Sequence, residues 1–220
     1  MRAFAIGLTI AVVASGSLDA QGGVTPASSP GTPQLGPSLK AAVERLADSV
    51  RVLGLPTDPL FAKAAEGTLK GADEQRVMIA VRRLARELSD AKAALGDGAT
   101  GAELEAGASA LHAGVAPDLV ARLGRAATER ATPSGGRLVM PLVTLADMVA
   151  RRVSPQAAVT SLESLISRGA GDAQLANLRT DVERDIAAGE RPDIAVQRRS
   201  ASIARGLEGR TPPMSKPPTG

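Results

Sequence analysis

His112 is the only histidine in the chain, and cysteine is absent. A zinc centre needs three or four Cys, His or carboxylate ligands, so His112 makes none by itself, and neither a metal nor a cofactor is expected. Ser109 stands one helical turn before His112. A Ser–His–acid nucleophile, however, needs a constrained serine and an oxyanion hole, and no G-x-S-x-G sequence occurs. His112 is expected instead in the last turn of a helix, where a cation complements the macrodipole. Paired carboxylates can cleave sugars, and the candidates are Glu103 with Glu105, and Asp181, Glu183 and Asp185. Their alternation with arginine reads as solvated helix faces. A glycan groove also wants aromatic platforms. Trp and Tyr are absent, and of the two phenylalanines Phe4 lies at the extreme N-terminus, which leaves Phe61. No Walker A or dinucleotide glycine loop appears.

The most unusual cluster is residues 61–71, FAKAAEGTLKG. Lys63, Glu66 and Lys70 lie three and four apart, on one helix face. Gly67 falls in mid-helix, which costs about 1 kcal/mol relative to alanine. Either a close helix–helix approach or a ligand or peptide touching the backbone would offset that cost. Lys63, Glu66, Gly67 and Lys70 are therefore the candidate binding residues.

The elements that must position these groups are helical. Ala, Leu, Arg and Glu are abundant, and such side chains lose little freedom in a helix. Strands prefer the aromatic and β-branched residues, and the aromatics are missing. Leu39, Val43, Leu46, Val50 and Leu53 recur at helical spacing, with Ser38 as a candidate cap. A second segment starts at Asp58-Pro59 and runs to about Lys70. A third follows Asp73 and carries Val77, Val81, Leu84, Leu88 and Leu95. Further segments cover about 101–113, 117–131, 138–151, 155–167, 172–187 and 192–205. The fold class is all-α: eight or nine amphipathic helices joined as antiparallel hairpins, in a compact bundle or a short irregular α-solenoid. The expected core is Leu46, Val50, Val81, Leu84, Leu88, Leu123, Leu142, Leu145, Leu162, Leu178 and Val182. With so few aromatics, helices should approach closely at alanines.

The joins share a frame: an apolar residue, two spacers, Gly, two spacers, then Pro or Asp. Leu111 to Pro117 shows it with Gly114, and Ile186 to Pro192 with Gly189. Ile166 to Asp172 carries Gly169 with Asp in place of Pro, and Gly71-Ala72-Asp73 is a looser copy. Val149 to Pro155 fits the frame with Arg152 where the others have Gly. Gly closes a helix by accepting the left-handed conformation. Pro at the first position of the next helix gives up no hydrogen bond.

The N-terminus has a basic start at Arg2, then ten apolar or small residues from Ala5 to Ala14, then Ser15 to Ala20. This is a secretory signal peptide pattern, with the cut expected after Ala20, or alternatively after Gly16. Ten residues fall short of the roughly 20 needed to span a bilayer as a helix, so no stable membrane span is expected after cleavage. Residues 21–37 read as a Pro/Ser/Gly linker, residues 38–206 as one helical domain, and residues 207–220 as a Pro-rich tail. The net charge is +3, too weak a field to imply nucleic acid. The expectation is a periplasmic or secreted, non-enzymatic helical interaction or scaffold protein with a protein or peptide partner in the envelope. The alternatives are an envelope hydrolase using helix-borne carboxylates, marked by buried convergent acids, and a carrier of an apolar ligand, marked by an enclosed cavity.

Overall fold

The computed structural model describes residues 35–129 and 138–209. Those residues form nine helices and no strand: α1 (Pro37–Val52), α2 (Asp58–Leu69), α3 (Glu74–Leu95), α4 (Gly101–His112), α5 (Pro117–Thr128), α6 (Val139–Ala150), α7 (Pro155–Ser167), α8 (Asp172–Ala187) and α9 (Pro192–Glu208). The expected signal peptide, the linker up to residue 34 and the tail from residue 210 lie outside the described residues. At both borders the helices run past the sequence pattern. Pro37, read as linker, is the first residue of α1, and α9 continues to Glu208. Proline suits that first position because its missing N–H would find no helical partner there. Gly36, not Ser38, therefore occupies the cap of α1, and Thr57 that of α2. Asp73 does cap α3, its carboxylate accepting from the Arg76 N–H at 2.8 Å.

The shared frame at the joins has one backbone geometry. Gly71, Gly114, Gly169 and Gly189 all have positive φ, and so does Arg152 at 67°, the one non-glycine to do so among the described residues. At each join two N–H groups turn back onto the last helical carbonyls. At Arg152 the bonds are Arg152 N–H to Val149 O at 2.9 Å and Val153 N–H to Met148 O at 3.1 Å. This pair of hydrogen bonds closes a helix. The residue that follows is half-buried at Ala72, Ala170 and Glu190, whereas Val115 and Val153 are buried.

The closed helices stack in two rows. Helices α3, α5, α7 and α9 pack one on the next, and α4, α6 and α8 form a second row beside them. The result is a compact bundle with the row order of a short, irregular solenoid. Helices α1 and α2 both pack on α3. One buried cluster draws on α1 to α4, including Val43, Leu60, Val81 and Leu88. The other spans α4 to α9, including Leu123, Leu142, Leu162 and Leu178. Most expected core positions are buried, but Leu46 and Leu84 are only half-buried. Leu46 lies on α1, which packs chiefly on α2 and α3, so the flank of its stripe stays open. Leu84 is exposed for a different reason, given below.

Close approach occurs at glycine as well as alanine. A Cβ on Gly107 would stand 3.1 Å from the Cβ of Ala91, and one on Gly124 would stand 3.0 Å from Leu95 Cδ2. In this way α3, α4 and α5 reach core packing without large side chains. Thr144 is fully buried in α6, and its hydroxyl has no hydrogen-bond partner among the described residues.

Candidate binding groove

The three helices α2, α3 and α4 enclose a groove of about 690 Å³. Its floor is α3, which contributes Ile79, Ala80 and Leu84 between Arg76 and Glu87. One wall is α2, with Pro59, Ala62, Lys63 and Glu66. The other is α4, with Glu105, Ala108, Ser109 and His112. These α4 positions follow at four and three residues, so they form one stripe of the helix. Ile79 is 57% exposed, and Leu84 is half-buried because it packs against the core beneath and also lines this floor. From Arg76 to Glu87 the floor runs eleven residues along α3, about 16 Å at 1.5 Å per residue.

Charges of both signs rim the apolar floor. Lys63 donates to Glu66 at 2.9 Å, and Lys70 pairs with the other oxygen of the same carboxylate. The hydrogen bonds from Lys70 and then Lys63 hold the Glu66 carboxyl well down, from its ordinary 4.5 to about 2. Across the groove, Arg83 donates to Glu87 at 2.8 Å, and His112 Nδ1 stands 3.0 Å from the same carboxylate. Glu105 is exposed, and its carboxylate has no ion-pair or hydrogen-bond partner among the described residues.

The four binding residues expected from sequence divide. Lys63 and Glu66 line the groove. Lys70 is tied to it through Glu66 and lies mostly in solvent. Gly67 faces α3 instead: a Cβ there would stand 2.8 Å from Val77 Cγ2. The residues the sequence reading did not select are Ile79, Leu84, Glu87 and Glu105 with His112. Ile79 carried a usable signal, because it lies off the buried stripe of α3, three residues after Arg76 and four before Arg83.

Of the remaining acidic candidates, Asp181 and Asp185 come together on Arg199, which pairs with both rather than leaving a free acid pair. Glu103, expected on a solvated face, is buried and accepts from the Thr100 N–H at 2.9 Å and the Leu138 N–H at 3.3 Å. It closes a capping box at the start of α4 and ties it to the start of α6. Glu105, two residues on, faces a different side of the helix. Asp185 was also read as solvated; it is buried and held below the usual carboxylate range, chiefly by its hydrogen bond from Arg199. Asp181 pairs with Arg184 and Glu183 with Arg151. Ser109 donates its hydroxyl hydrogen to the Glu105 carbonyl at 3.0 Å, not to His112. Among the described residues no three metal-ligating side chains gather, and no helix is long and apolar enough to cross a membrane. Comparison with protein-family models, with curated proteins and with solved structures finds no match to this chain.

Proposed function

We propose that this protein is an exported, non-enzymatic interaction module and that the groove over α3 is its docking site for a protein partner in the cell envelope. The observation that carries the reading is Ile79. A β-branched apolar side chain stands mostly in solvent and lines the same groove as Ala62, Ala80 and Leu84. Single exposed apolar residues are ordinary, whereas a contiguous apolar strip rimmed by charge marks an interaction site. Small residues on both walls let another backbone approach closely, and helix-in-groove recognition uses such a surface. The groove is open to solvent above its floor, whereas a carrier of an apolar ligand needs an enclosed cavity. Export rests on the basic start and apolar run of the first twenty residues.

Two measurements test the proposal. N-terminal sequencing of protein from the extracytoplasmic fraction should give Gln21 as the first residue, and intact Met1 in the cytosol would overturn export. Mature protein and its Ile79→Asp variant should then be used to capture partners from envelope extract. A partner held by the native groove and lost by a folded Ile79→Asp variant supports the site. Identical captures by both rule it out.

A further inference from the structure

We infer that the partner is an amphipathic helix with carboxylates at one end and Lys or Arg at the other, seated on α3 between α2 and α4; this rests on the docking reading above. The occupant follows from the row order. In the second row α4, α6 and α8 stack in succession, whereas α2 and α4 each pack chiefly on α3 and touch one another slightly at most. The interval between them is floored by a helix and walled by two more, as the surroundings of a packed helix are. Its floor offers apolar and small side chains at Ile79, Ala80 and Leu84, the surface into which an apolar stripe at helical spacing packs. A groove about 16 Å long accepts about three helical turns.

The charge pattern follows from which rim groups are already neutralised. At the end where α2 finishes and α3 begins, Glu66 faces two lysines, Lys63 and Lys70, and Arg76 pairs with Asp73. One cation is in surplus there. At the other end Arg83 and Glu87 offset each other, His112 leans on Glu87, and Glu105 has no counter-charge. One carboxylate is in surplus there. The groove is thus cationic at one end and anionic at the other, and a complementary helix carries the opposite signs in register. Such complementarity selects among partners more than it adds affinity.

The test uses three labelled synthetic helical peptides of 14 residues with the same apolar stripe. One carries Glu at one end and Lys at the other, one has Lys at both ends, and one has Glu at both ends. Fluorescence anisotropy with the mature protein at low salt should favour the mixed-charge peptide over each of the others by about fivefold, the scale of one or two exposed ion pairs. Glu105→Lys should move the preference to the all-Glu peptide, and Arg76→Glu to the all-Lys peptide. Both positions are exposed, and glutamate three residues after the Asp73 cap suits a helix start, so both variants are expected to fold. If the native protein binds the peptides and neither reversal changes their ranking, the charge inference is overturned and the groove stands. If no peptide binds the native protein better than Ile79→Asp, the docking reading falls and the inference with it.

Discussion

Gly67→Ala measures what the mid-helix glycine is for. In an exposed helix this change stabilises by about 1 kcal/mol through better propensity. Here the new Cβ would stand 2.8 Å from Val77 Cγ2, against roughly 3.5–4.0 Å for relaxed carbon contacts. Val77 cannot easily yield. It is 2% exposed, and its β-branched side chain has one strongly preferred rotamer in a helix. Overpacking of this kind costs about 1–3 kcal/mol, so the net effect should be a loss of about 1 kcal/mol. For a domain of this size that lowers Tm by about 2–4 °C. Val77→Ala removes the obstructing methyls and should itself cost about 2 kcal/mol in lost burial and cavity. In that background Gly67→Ala should reverse sign and stabilise, because the clash is gone and the propensity gain remains. Thermal and urea melts followed by far-UV circular dichroism read all four corners of the cycle. A stabilised single Gly67→Ala, or the same effect in both backgrounds, would refute the close-approach reading.

Three further outcomes follow from individual residues. Arg152→Gly should stabilise by about 0.5–1 kcal/mol, the left-handed penalty of an L-residue less the added backbone entropy of glycine. Its control is Gly71→Ala, at nearly the same φ and with open space around it, which should lose a similar amount in the same melt. Thr144→Val should raise stability by about 1 kcal/mol, since it removes a buried hydroxyl without a partner among the described residues while keeping its shape; a lowered Tm would show that the hydroxyl is satisfied in solution. Glu66 has a depressed folded pKa of about 2. Its contribution is present above its ordinary 4.5 and is lost as pH falls from there towards 2. Urea midpoints between pH 6 and pH 2 should therefore fall less steeply for Glu66→Gln than for the native chain. Parallel curves would show that the two lysines do not hold the carboxylate.

The helices were legible because their signals are local. Apolar spacing, Gly at the stop and Pro at the start each depend on a few neighbouring residues. The frame read from Leu111 to Pro117 recurs with the same positive φ, even at Arg152. Glu103 and Asp185 were misread because alternation with charge describes one helix in isolation. Their burial comes from Leu138 and Arg199, which are distant in sequence. The groove was legible only in half. Lys63 and Glu66 share a helix face and could be found by spacing, whereas Glu105 and His112 reach the same groove through the hairpin between α3 and α4. Leu84 had the period of a core residue, and no local pattern says that the described helices leave it half-covered.

Helix lengths explain how that uncovered strip arises. Helix α3 has 22 residues, whereas α2 and α4 have 12 each, or about 33 Å against about 18 Å. Gly67 draws α2 against Val77 near the start of α3, and Gly107 draws α4 against Ala91 near its end. Each short helix is thus held against the long one at a different point, and neither fully covers the groove face at Ile79 and Leu84. Folding does not require an apolar residue there. A side chain that remains 57% exposed gains little from burial in the free protein, so a polar residue at position 79 would serve stability about as well. Ile79 gains its full burial only when something covers α3, and an occupant as long as α2 or α4 would extend the second row by one helix.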